Sequence, residues 1–453
     1  MSIKANDVLG TRPLPSLLAN TFQVRDLTNP TPQTSKFTTL DSVDVITKKP
    51  KPFDKKDEIN NLYFSELEKV IYKPREMAEM PDFTKTPFRI GIAVAQKQAD
   101  FTIPNGTLYI TDEQGKKEIG TFGNATFKVK AENNGISLYQ ADGKLVGNYK
   151  GKITLEGNVA PVIINSKKYY GSLEIISNPA NTSTLSVIND VMLEDYLKGV
   201  VPSESIASWP EESLKAQAIA ARTYTVANWK RRETLGFDLM ATTSDQVYNG
   251  VGAEQASTNK AVAETNGKIM LYAGKPINAL FFSCSGGYTD SSKDVWGVDL
   301  PYIQPVPDFD QKAPKYKWEK TYTNDSVKNA LKQLGFELGD IKSIEPVEFT
   351  AQKRVTKIKF TGTKGESIVD SNKFRLALGL NSTLWVVNPS DSKQFSFGSL
   401  KMVPKTFTFN GGGWGHALGM SQWGASQMAA DGKTAEEIVK HYYTGIEIDT
   451  INK

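Results

Sequence analysis

The sequence contains few of the residues that bind transition metals or form covalent cross-links. Among its 453 residues there are one cysteine, Cys284, and two histidines. A single thiol excludes an intrachain disulfide, and one cysteine with two histidines cannot supply a Cys-based zinc site. No ligand cluster points to a metal, so we expect neither a metal nor a cofactor. Cys284 is interpreted as a small buried residue.

Long apolar runs and a strong charge of either sign are also absent. No run approaches the roughly 20 apolar residues of a membrane helix, so no membrane span is expected. Met1–Asn20 lacks the cationic start and continuous apolar core of a secretory signal. The net charge of +4 argues against a nucleic-acid partner, because such proteins concentrate basic residues on one face.

Changes in composition along the chain predict two regions. Residues 1–84 are expected to form an irregular, partly disordered extension, because Asn29–Lys56 is rich in Pro, Thr and Lys. Apolar residues at helical spacing predict one short helix within it, at Asp57–Tyr72. Residues 85–450 are expected to form the main domain, with a β-rich lobe at 85–188 and a second, catalytic part at 189–450.

The main domain begins with short apolar runs separated by Gly and Asn, which predict strands. These runs are Arg89–Val94, Gly106–Thr111, Ala125–Val129, Gly135–Tyr139, Gly151–Leu155, Tyr169–Ile176 and Thr184–Ile188. Farther along, Arg354–Phe360 predicts a strand, while helices are predicted at Glu211–Lys230, Ser326–Leu334, Gln422–Ala430 and Thr434–Tyr443. Helices and strands that alternate without a βαβ period predict an α+β fold, whose β-rich and helical lobes form a substrate groove.

The local pattern around Glu204 allows acid chemistry without requiring it. Glu204 follows the helical pattern Leu193–Val200 and precedes an alanine-rich helix, where Ser208 and Glu211 have the spacing of a capping box. We therefore expect Glu204 in a short loop between two rigid elements, a suitable position for a general acid. The alternative is an exposed glutamate whose pKa is lowered by the following helix.

Several motifs occur in one order along residues 88–447 and together resemble a known family. They are Tyr170–Glu174 (YGSLE), Asn189–Val201 (NDVMLEDYLKGVV), Lys215–Tyr224 (KAQAIAARTY), Ser244–Gly250 (SDQVYNG), Ser283–Thr289 (SCSGGYT), Val295–Gly297 (VWG), Arg375–Thr383 (RLALGLNST), Gly413–Ala425 (GWGHALGMSQWGA) and His441–Gly445 (HYYTG). This set resembles the SpoIID/LytB family, named for stage II sporulation protein D and the amidase enhancer.

The resemblance implies a lytic transglycosylase that cleaves peptidoglycan glycan strands after N-acetylmuramic acid and leaves 1,6-anhydro ends. Sporulation-type members prefer strands stripped of stem peptides. Glu204 stands at the position of the family's catalytic acid, and Arg222 matches an arginine that is also functionally important. For Arg222 the alternative is an internal ion pair with Glu194 or Asp195.

Residues within the matched motifs are the expected substrate contacts. They are Tyr224, Gln246, Tyr248, Ser283, Ser285, Trp414 and His416. Tyr248 and Trp414 are the leading aromatic candidates because aromatic faces pack on sugar C–H surfaces, although buried aromatics are more often core residues. His416 is expected either to orient an acidic group or a substrate hydroxyl, or to serve as a structural histidine.

Two departures from the family's pattern concern the surroundings of the predicted site. Ser205 and Ile206 stand where members usually have Met-Pro, and Ala417 stands where many have glycine. The alternative function is therefore a non-catalytic protein that binds peptidoglycan and stimulates an N-acetylmuramoyl-L-alanine amidase partner. Both functions imply a location in the cell envelope, outside the membrane, although no signal peptide is visible.

Overall fold

The computed structural model describes residues 74–132, 135–157, 161–390 and 403–451. The helix predicted at Asp57–Tyr72 lies outside the described residues. Met77–Glu79 forms one turn of 3₁₀ helix, and Phe83 is buried, with its ring centroid 4.7 Å from that of Phe88 and 5.9 Å from that of Trp229. The last residues of the predicted extension therefore pack on the main domain.

The amino-terminal lobe is a sheet of eleven strands. Nine of them lie in the order β11-β1-β10-β9-β6-β2-β3-β4-β5, while β7 pairs with β2 and β8. Their bounds are β1 Phe88–Gln96, β2 Gln98–Asp112, β3 Gly115–Glu132, β4 Gly135–Gln140, β5 Leu145–Tyr149, β6 Lys152–Gly157, β7 Val162–Ile164, β8 Lys167–Tyr169, β9 Ser172–Ser177, β10 Leu185–Val191 and β11 Leu239–Met240.

Nearly all pairings in this sheet are antiparallel, and the exception is the parallel contact of β11 with β1. Alternating side chains such as Ile153 and Leu155 point into the core, as the two-residue period of a strand requires. The seven predicted strands are confirmed, whereas β5, β7, β8 and β11 were missed. The missed strands are short, and β5 has no buried residue.

The α-helices follow β10 in the chain. The described residues form α1 Leu193–Glu204, α2 Glu211–Ala227, α3 Ala256–Glu264, α4 Ser292–Trp296, α5 Asn324–Gln333, α6 Ser371–Leu378, α7 Gln422–Ala430 and α8 Ala435–Tyr442. Helices α1, α2, α7 and α8 share a core with this sheet. Fourteen of the seventeen residues of α2 are buried, and α2 packs against α1, α3, α7 and α8. The many alanines of α2 allow these close approaches, as the sequence predicted.

The remaining strands form four small sheets. In three of them the strand orders are β13-β12-β22, β15-β20-β19 and β16-β17-β18, and in the fourth β14 pairs with β21. Their bounds are β12 Lys268–Tyr272, β13 Lys275–Pro276, β14 Phe281–Phe282, β15 Trp318–Thr323, β16 Ile341–Phe349, β17 Val355–Gly362, β18 Gly365–Asp370, β19 Trp385–Pro389, β20 Thr406–Gly411, β21 Met420–Ser421 and β22 Glu447–Thr450. The α+β class is confirmed.

A second hydrophobic core lies under β15–β20, α5 and α6. It contains Trp318, Phe360, Phe374, Trp385 and Phe409, and it is separate from the core that the large sheet shares with α1, α2, α7 and α8. Strand β17 and helices α5, α7 and α8 match their predicted positions within a few residues. The sequence therefore located these elements, although it did not predict the separate core.

Two local predictions were wrong. Glu204 is the last residue of α1 rather than a loop residue, because the helix continues through Pro202, which is followed by only two more helical residues. The capping box at Ser208 and Glu211 does not form: Pro210 caps α2, and it supplies no side-chain hydrogen bond. A capping box is instead present at Thr434 and Glu437, at the start of α8.

Candidate functional site

Glu204 lies where α1 ends, facing the chain segment that precedes the 3₁₀ turn Val251–Ala253 and the start of α7. The Val247 backbone N–H donates a hydrogen bond of 2.6 Å to Glu204 Oε1. Gln422 Nε2, on the first residue of α7, lies 3.5 Å from the other oxygen, Oε2. Segments far apart in sequence thus fix both carboxyl oxygens.

The surroundings of Glu204 favour its protonated form. Burial raises the pKa of Glu204 above its usual value, whereas the hydrogen bonds from Val247 and Gln422 oppose this shift. Glu204 also lies at the carboxyl end of α1. The negative end of a helix dipole disfavours a carboxylate, so this position raises the pKa of Glu204 in the same direction as burial does. A raised pKa is what a general acid requires at neutral pH.

The polar side chains behind Glu204 are neutral amides. Gln422 Nε2 also lies 3.4 Å from Oε1 of Gln217, a residue of α2 that is 1% exposed. Within the described ranges, no charged side chain contributes to the pKa of Glu204. A neighbouring cation would lower the pKa of Glu204 by roughly one to three. Because its partners are neutral, Glu204 avoids this lowering.

Two tryptophans pair beside the start of α7, and one of them, Trp423, directly follows Gln422. Trp209, in the loop after α1, contacts Trp423 edge to face, with 5.1 Å between ring centroids. The Trp423 N–H donates to the Ser283 carbonyl at 3.0 Å, which places Ser283 beside the start of α7. Ser283 therefore lies beside the residue that follows Gln422. Two other predicted contact residues, Gln246 and Tyr248, flank Val247 in the chain.

Trp414 is the most exposed tryptophan of the matched motifs. Its side chain is 51% exposed, and its backbone forms a two-bond antiparallel bridge with Cys284, with N–O distances of 2.7 and 3.2 Å. Cys284 follows Ser283, so the bridge brings Trp414 toward the segment that contacts Trp423. The exposed indole offers a flat apolar face on a rigid backbone.

His416 is held in a neutral form between aromatic rings. Its ring centroid lies 5.4 Å from those of Phe282 and Trp296, and its Nδ1 accepts a hydrogen bond from the Leu418 N–H. Burial, together with the positive charge of Arg375, lowers the pKa of His416 to about 3. His416 therefore matches the structural alternative and supports Trp296, which is 40% exposed.

The other four predicted contact residues are buried. Tyr224 donates to Asp245, Gln246 donates to Thr225, and Tyr248 donates to Asn189. The Ser285 hydroxyl donates to Asp310 and accepts from the Gly287 N–H. The side chains of these four residues, Tyr224, Gln246, Tyr248 and Ser285, are 5% exposed or less. Their burial favours a structural role beneath the site over contact with a substrate.

Arg222 forms the internal ion pair that was its alternative interpretation. Its guanidinium is fully buried and pairs with both carboxylate oxygens of Glu194, at 2.7 and 2.8 Å. Its remaining donors face Thr265 and the carbonyls of Ala218, Val262 and Lys268. With this set of partners, the buried Arg222 guanidinium connects α1 to α2 and has no exposed surface.

The sequence analysis missed Gln217, Gln422 and Trp209 as residues of the site. Gln217 and Gln422 both lie in motifs that carried the resemblance, and each is an amide among small or apolar residues. A glutamine in a helix whose other residues are predicted to be buried could have indicated them, because a buried polar side chain needs a hydrogen-bond partner. Trp209 gave no comparable signal.

The backbone conformation at position 417 shows why many family members have glycine where this chain has alanine. The φ of Ala417 is 66°, in the left-handed region that favours glycine, and the residue is 1% exposed. Glycine at this position would fit without strain. The turn is nevertheless kept with alanine, and the Ala417 carbonyl accepts from the Asp290 N–H at 2.8 Å.

Together these features define a class: an α+β protein built around one half-buried, protonatable glutamate with neutral hydrogen-bond donors and neighbouring tryptophans. A family profile described as Stage II sporulation protein matches residues 181–272, which include α1 and α2. The stage II sporulation protein D of Bacillus subtilis is 34% identical over 289 residues, which cover 60% of this chain and 79% of that protein. The chain belongs to the stage II sporulation protein D family.

Other comparisons extend beyond this region. An uncharacterized protein of Brachyspira hyodysenteriae is 35% identical over 309 residues, 68% of this chain and 79% of that protein. The amidase enhancer of Bacillus subtilis is 29% identical over 407 residues, 80% of this chain and 53% of that protein. Residues 299–419 match a domain of unknown function. Among the described residues, no helix has the length and apolar character needed to cross a bilayer.

Replacing Arg222 with methionine should destabilise the fold by about 3–5 kcal/mol, because Glu194 would lose its buried partner. The free energy of unfolding, measured by urea denaturation, tests this, and adding Glu194→Gln should recover part of the loss. Lys332→Met, at a lysine that is 68% exposed, is the control with little expected effect. Normal stability in Arg222→Met would contradict the structural role.

Asp310→Asn should stabilise the protein more at pH 7.5 than at pH 4. Burial and the neighbouring Asp308 raise the pKa of Asp310 from 3.8 to about 6, so ionisation costs the folded state stability as pH rises through this window. The gain is at most about 3 kcal/mol. Thermal unfolding at both pH values, with the exposed Asp142→Asn as control, measures it; a gain independent of pH would contradict the assignment.

Proposed function

We propose that this protein cleaves peptidoglycan glycan strands by lytic transglycosylation, with Glu204 as the catalytic acid. The observation that supports this most is the raised pKa of a half-buried carboxyl whose hydrogen-bond partners are neutral amides. Membership of the stage II sporulation protein D family agrees with it, since Glu204 stands at the position of that family's acid. We place the activity in the cell envelope for the same reason.

In the first step, protonated Glu204 gives its proton to the glycosidic oxygen that leaves C1 of N-acetylmuramic acid, and the C1–O bond breaks. The Val247 N–H occupies Oε1, so Oε2, on the side of Gln422, is the oxygen left to hold the proton. Both hydrogen bonds stabilise the carboxylate that this step forms.

In the second step, the Glu204 carboxylate removes the proton from the C6 hydroxyl of the same sugar. The C6 oxygen then bonds to C1, giving a 1,6-anhydro end, and Glu204 regains the proton it donated. No water is consumed. The internal nucleophile needs no second enzyme carboxylate because tethering gives it a large effective concentration.

The surroundings of Glu204 fit this single-carboxylate chemistry better than hydrolysis. Retaining glycosidases place a second carboxyl group about 5–5.5 Å from the first, and inverting enzymes place it about 6.5–9.5 Å away. In the described part of the chain, burial, Val247 and Gln422 account for the pKa of Glu204, and no acidic side chain contributes. The proposed substrates are glycan strands, with peptide-stripped strands preferred.

The second candidate is a non-catalytic role in which the protein binds peptidoglycan and stimulates an N-acetylmuramoyl-L-alanine amidase. The similarity to the amidase enhancer of Bacillus subtilis, which spans 80% of this chain, favours it. The exposed Trp414 suits glycan binding under either candidate. Product analysis separates the two.

Glu204→Gln should reduce strand cleavage by a factor on the order of 100 to 10,000, because glutamine cannot donate the proton. Intact and peptide-stripped glycan strands are incubated with each protein, and the fragments are identified by mass spectrometry. Anhydro-ended fragments from the wild type and from Glu337→Gln, at a glutamate that is 73% exposed, are expected. Reducing ends would indicate hydrolysis instead, and binding without cleavage would favour the amidase-enhancing role.

Trp414→Ala should weaken strand binding about 5- to 10-fold without loss of stability, because its half-exposed ring supplies contact area but little core packing. Dissociation constants for peptide-stripped strands are measured in the Glu204→Gln background, where cleavage does not interfere. Phe349→Ala, at an aromatic of β16 that is 54% exposed, is the matched control. Equal affinity in both variants would remove Trp414 from the binding surface.

A further inference from the structure

Two buried amides lie in series behind the Glu204 carboxyl. Gln422 is 8% exposed and Gln217 is 1% exposed, and they come from different helices, α7 and α2. Gln422 Nε2 lies between two acceptors, Glu204 Oε2 at 3.5 Å and Gln217 Oε1 at 3.4 Å. Glu204, Gln422 and Gln217 therefore form one hydrogen-bonded row.

The inner end of this row has an unused donor. Among the described residues, Gln217 Nε2 has no hydrogen-bond partner, although it is buried. Buried donors normally find acceptors, so an orphaned one calls for an explanation. The oxygen and nitrogen of a glutamine amide have nearly the same shape, and rotating the amide by half a turn exchanges them.

We propose that Gln217 and Gln422 form a two-amide relay that reverses its hydrogen bonds when Glu204 gains or loses its proton. The relay deepens the proposed function and rests on it for its catalytic consequence. With Glu204 ionised, Gln422 Nε2 donates to Glu204 and to Gln217, as the structure has it. With Glu204 protonated, both amides turn, and Gln422 Oε1 accepts from Glu204 Oε2–H and from Gln217 Nε2.

The reversed arrangement uses each group in a role that it can fill. A carbonyl oxygen accepts two hydrogen bonds, so Gln422 Oε1 serves Glu204 and Gln217 together. The orphaned Gln217 Nε2 gains an acceptor. The Val247 N–H is a backbone donor and cannot reverse, so it always favours the carboxylate, whereas the two amides follow the proton.

The hydrogen-bond partners that the described residues give the relay are uncharged apart from Glu204 itself, and the nearby Asp308 carboxylate lies against Gly424, two residues along α7 from Gln422. Helix α1 contributes Ser203, whose hydroxyl donates to the Gly199 carbonyl, while α2 contributes Gln217 and α7 contributes Gln422. Within the described ranges, no charged side chain acts on the pKa of Glu204. Both arrangements therefore remain accessible without the separation of charge.

The consequence for the reaction is support of the acid before and after proton transfer. Before transfer, Gln422 Oε1 holds the acid's proton near Oε2, where the glycosidic oxygen of a substrate competes for it. Once the proton has left, the amides turn and donate to the new carboxylate, which stabilises Glu204 in the form that next accepts the C6 proton. Gln422 and Gln217 are positioning residues in this scheme.

The first test is nuclear magnetic resonance of the side-chain NH₂ groups in uniformly ¹⁵N-labelled protein. The signals of Gln217 and Gln422, assigned through their own backbone resonances, should titrate together at the midpoint of the Glu204 carboxyl. In Glu204→Gln both should become independent of pH. If the Gln217 signal of the wild type does not change as Glu204 titrates, the relay is overturned.

The second test is a double-mutant cycle on activity with Gln217→Met and Gln422→Met. Each change should lower kcat about 10-fold and leave KM within about twofold, and the double variant should be no slower than Gln422→Met alone, since Gln217 acts through Gln422. Gln427→Met, on the exposed side of α7, is the matched control and should have wild-type kcat. Effects that multiply independently would overturn the relay and indicate packing alone.

The two tests separate the relay from the function on which it rests. The titration needs no substrate, so amides that titrate with Glu204 in a protein that does not cleave strands would support the relay and contradict the proposed activity. Strand cleavage that depends on Glu204, in a protein whose Gln217 signal does not titrate, would support the proposed activity and contradict the relay.

Discussion

The bidentate ion pair between Arg222 and Glu194 is the interaction on which the geometry of the site depends. Glu194 lies in the first turn of α1 and Glu204 is its last residue, about 15 Å along the helix axis. Arg222 ties that first turn to the middle of α2 and to the carbonyls of Val262 and Lys268. A buried arginine that has no surface for a substrate thus decides where the acid lies, because a helix transmits the position of one end to the other.

The acid itself depends on a balance between burial and hydrogen bonding. Burial favours the protonated form of Glu204, while Val247 and Gln422 favour the ionised form. The pKa of Glu204 stays above its usual value because the donors are uncharged; a lysine in place of Gln422 would stabilise the carboxylate far more strongly. Uncharged side chains at positions 217 and 422 are therefore compatible with an acid at this site, where a cation would not be.

Local pattern predicted much of the fold, whereas the choice of Glu204 as the acid came from the resemblance to a family, and neither indicated which side chains would meet it. Turn residues between apolar runs located seven strands, and the alanines of α2 indicated a buried helix. Tyr248 and Trp414 looked equivalent in sequence, yet Tyr248 is packed between Tyr169 and Tyr196 while Trp414 is half exposed. Such differences are set by elements distant in sequence, as is the contact of Gln422 with a residue 218 positions away.

The exposed tryptophan is held by the same means as the acid, through backbone contacts between distant segments. Gly413, with a φ of 80°, would place an added Cβ 2.5 Å from the Ser285 carbonyl oxygen, so glycine is what allows the Trp414 backbone to reach Cys284. The thiol of Cys284 takes no part, since burial raises its pKa to about 12. Under the proposed function, a glycan strand would therefore meet an acid and an aromatic face that are both fixed before it binds, which reduces the ordering that binding requires.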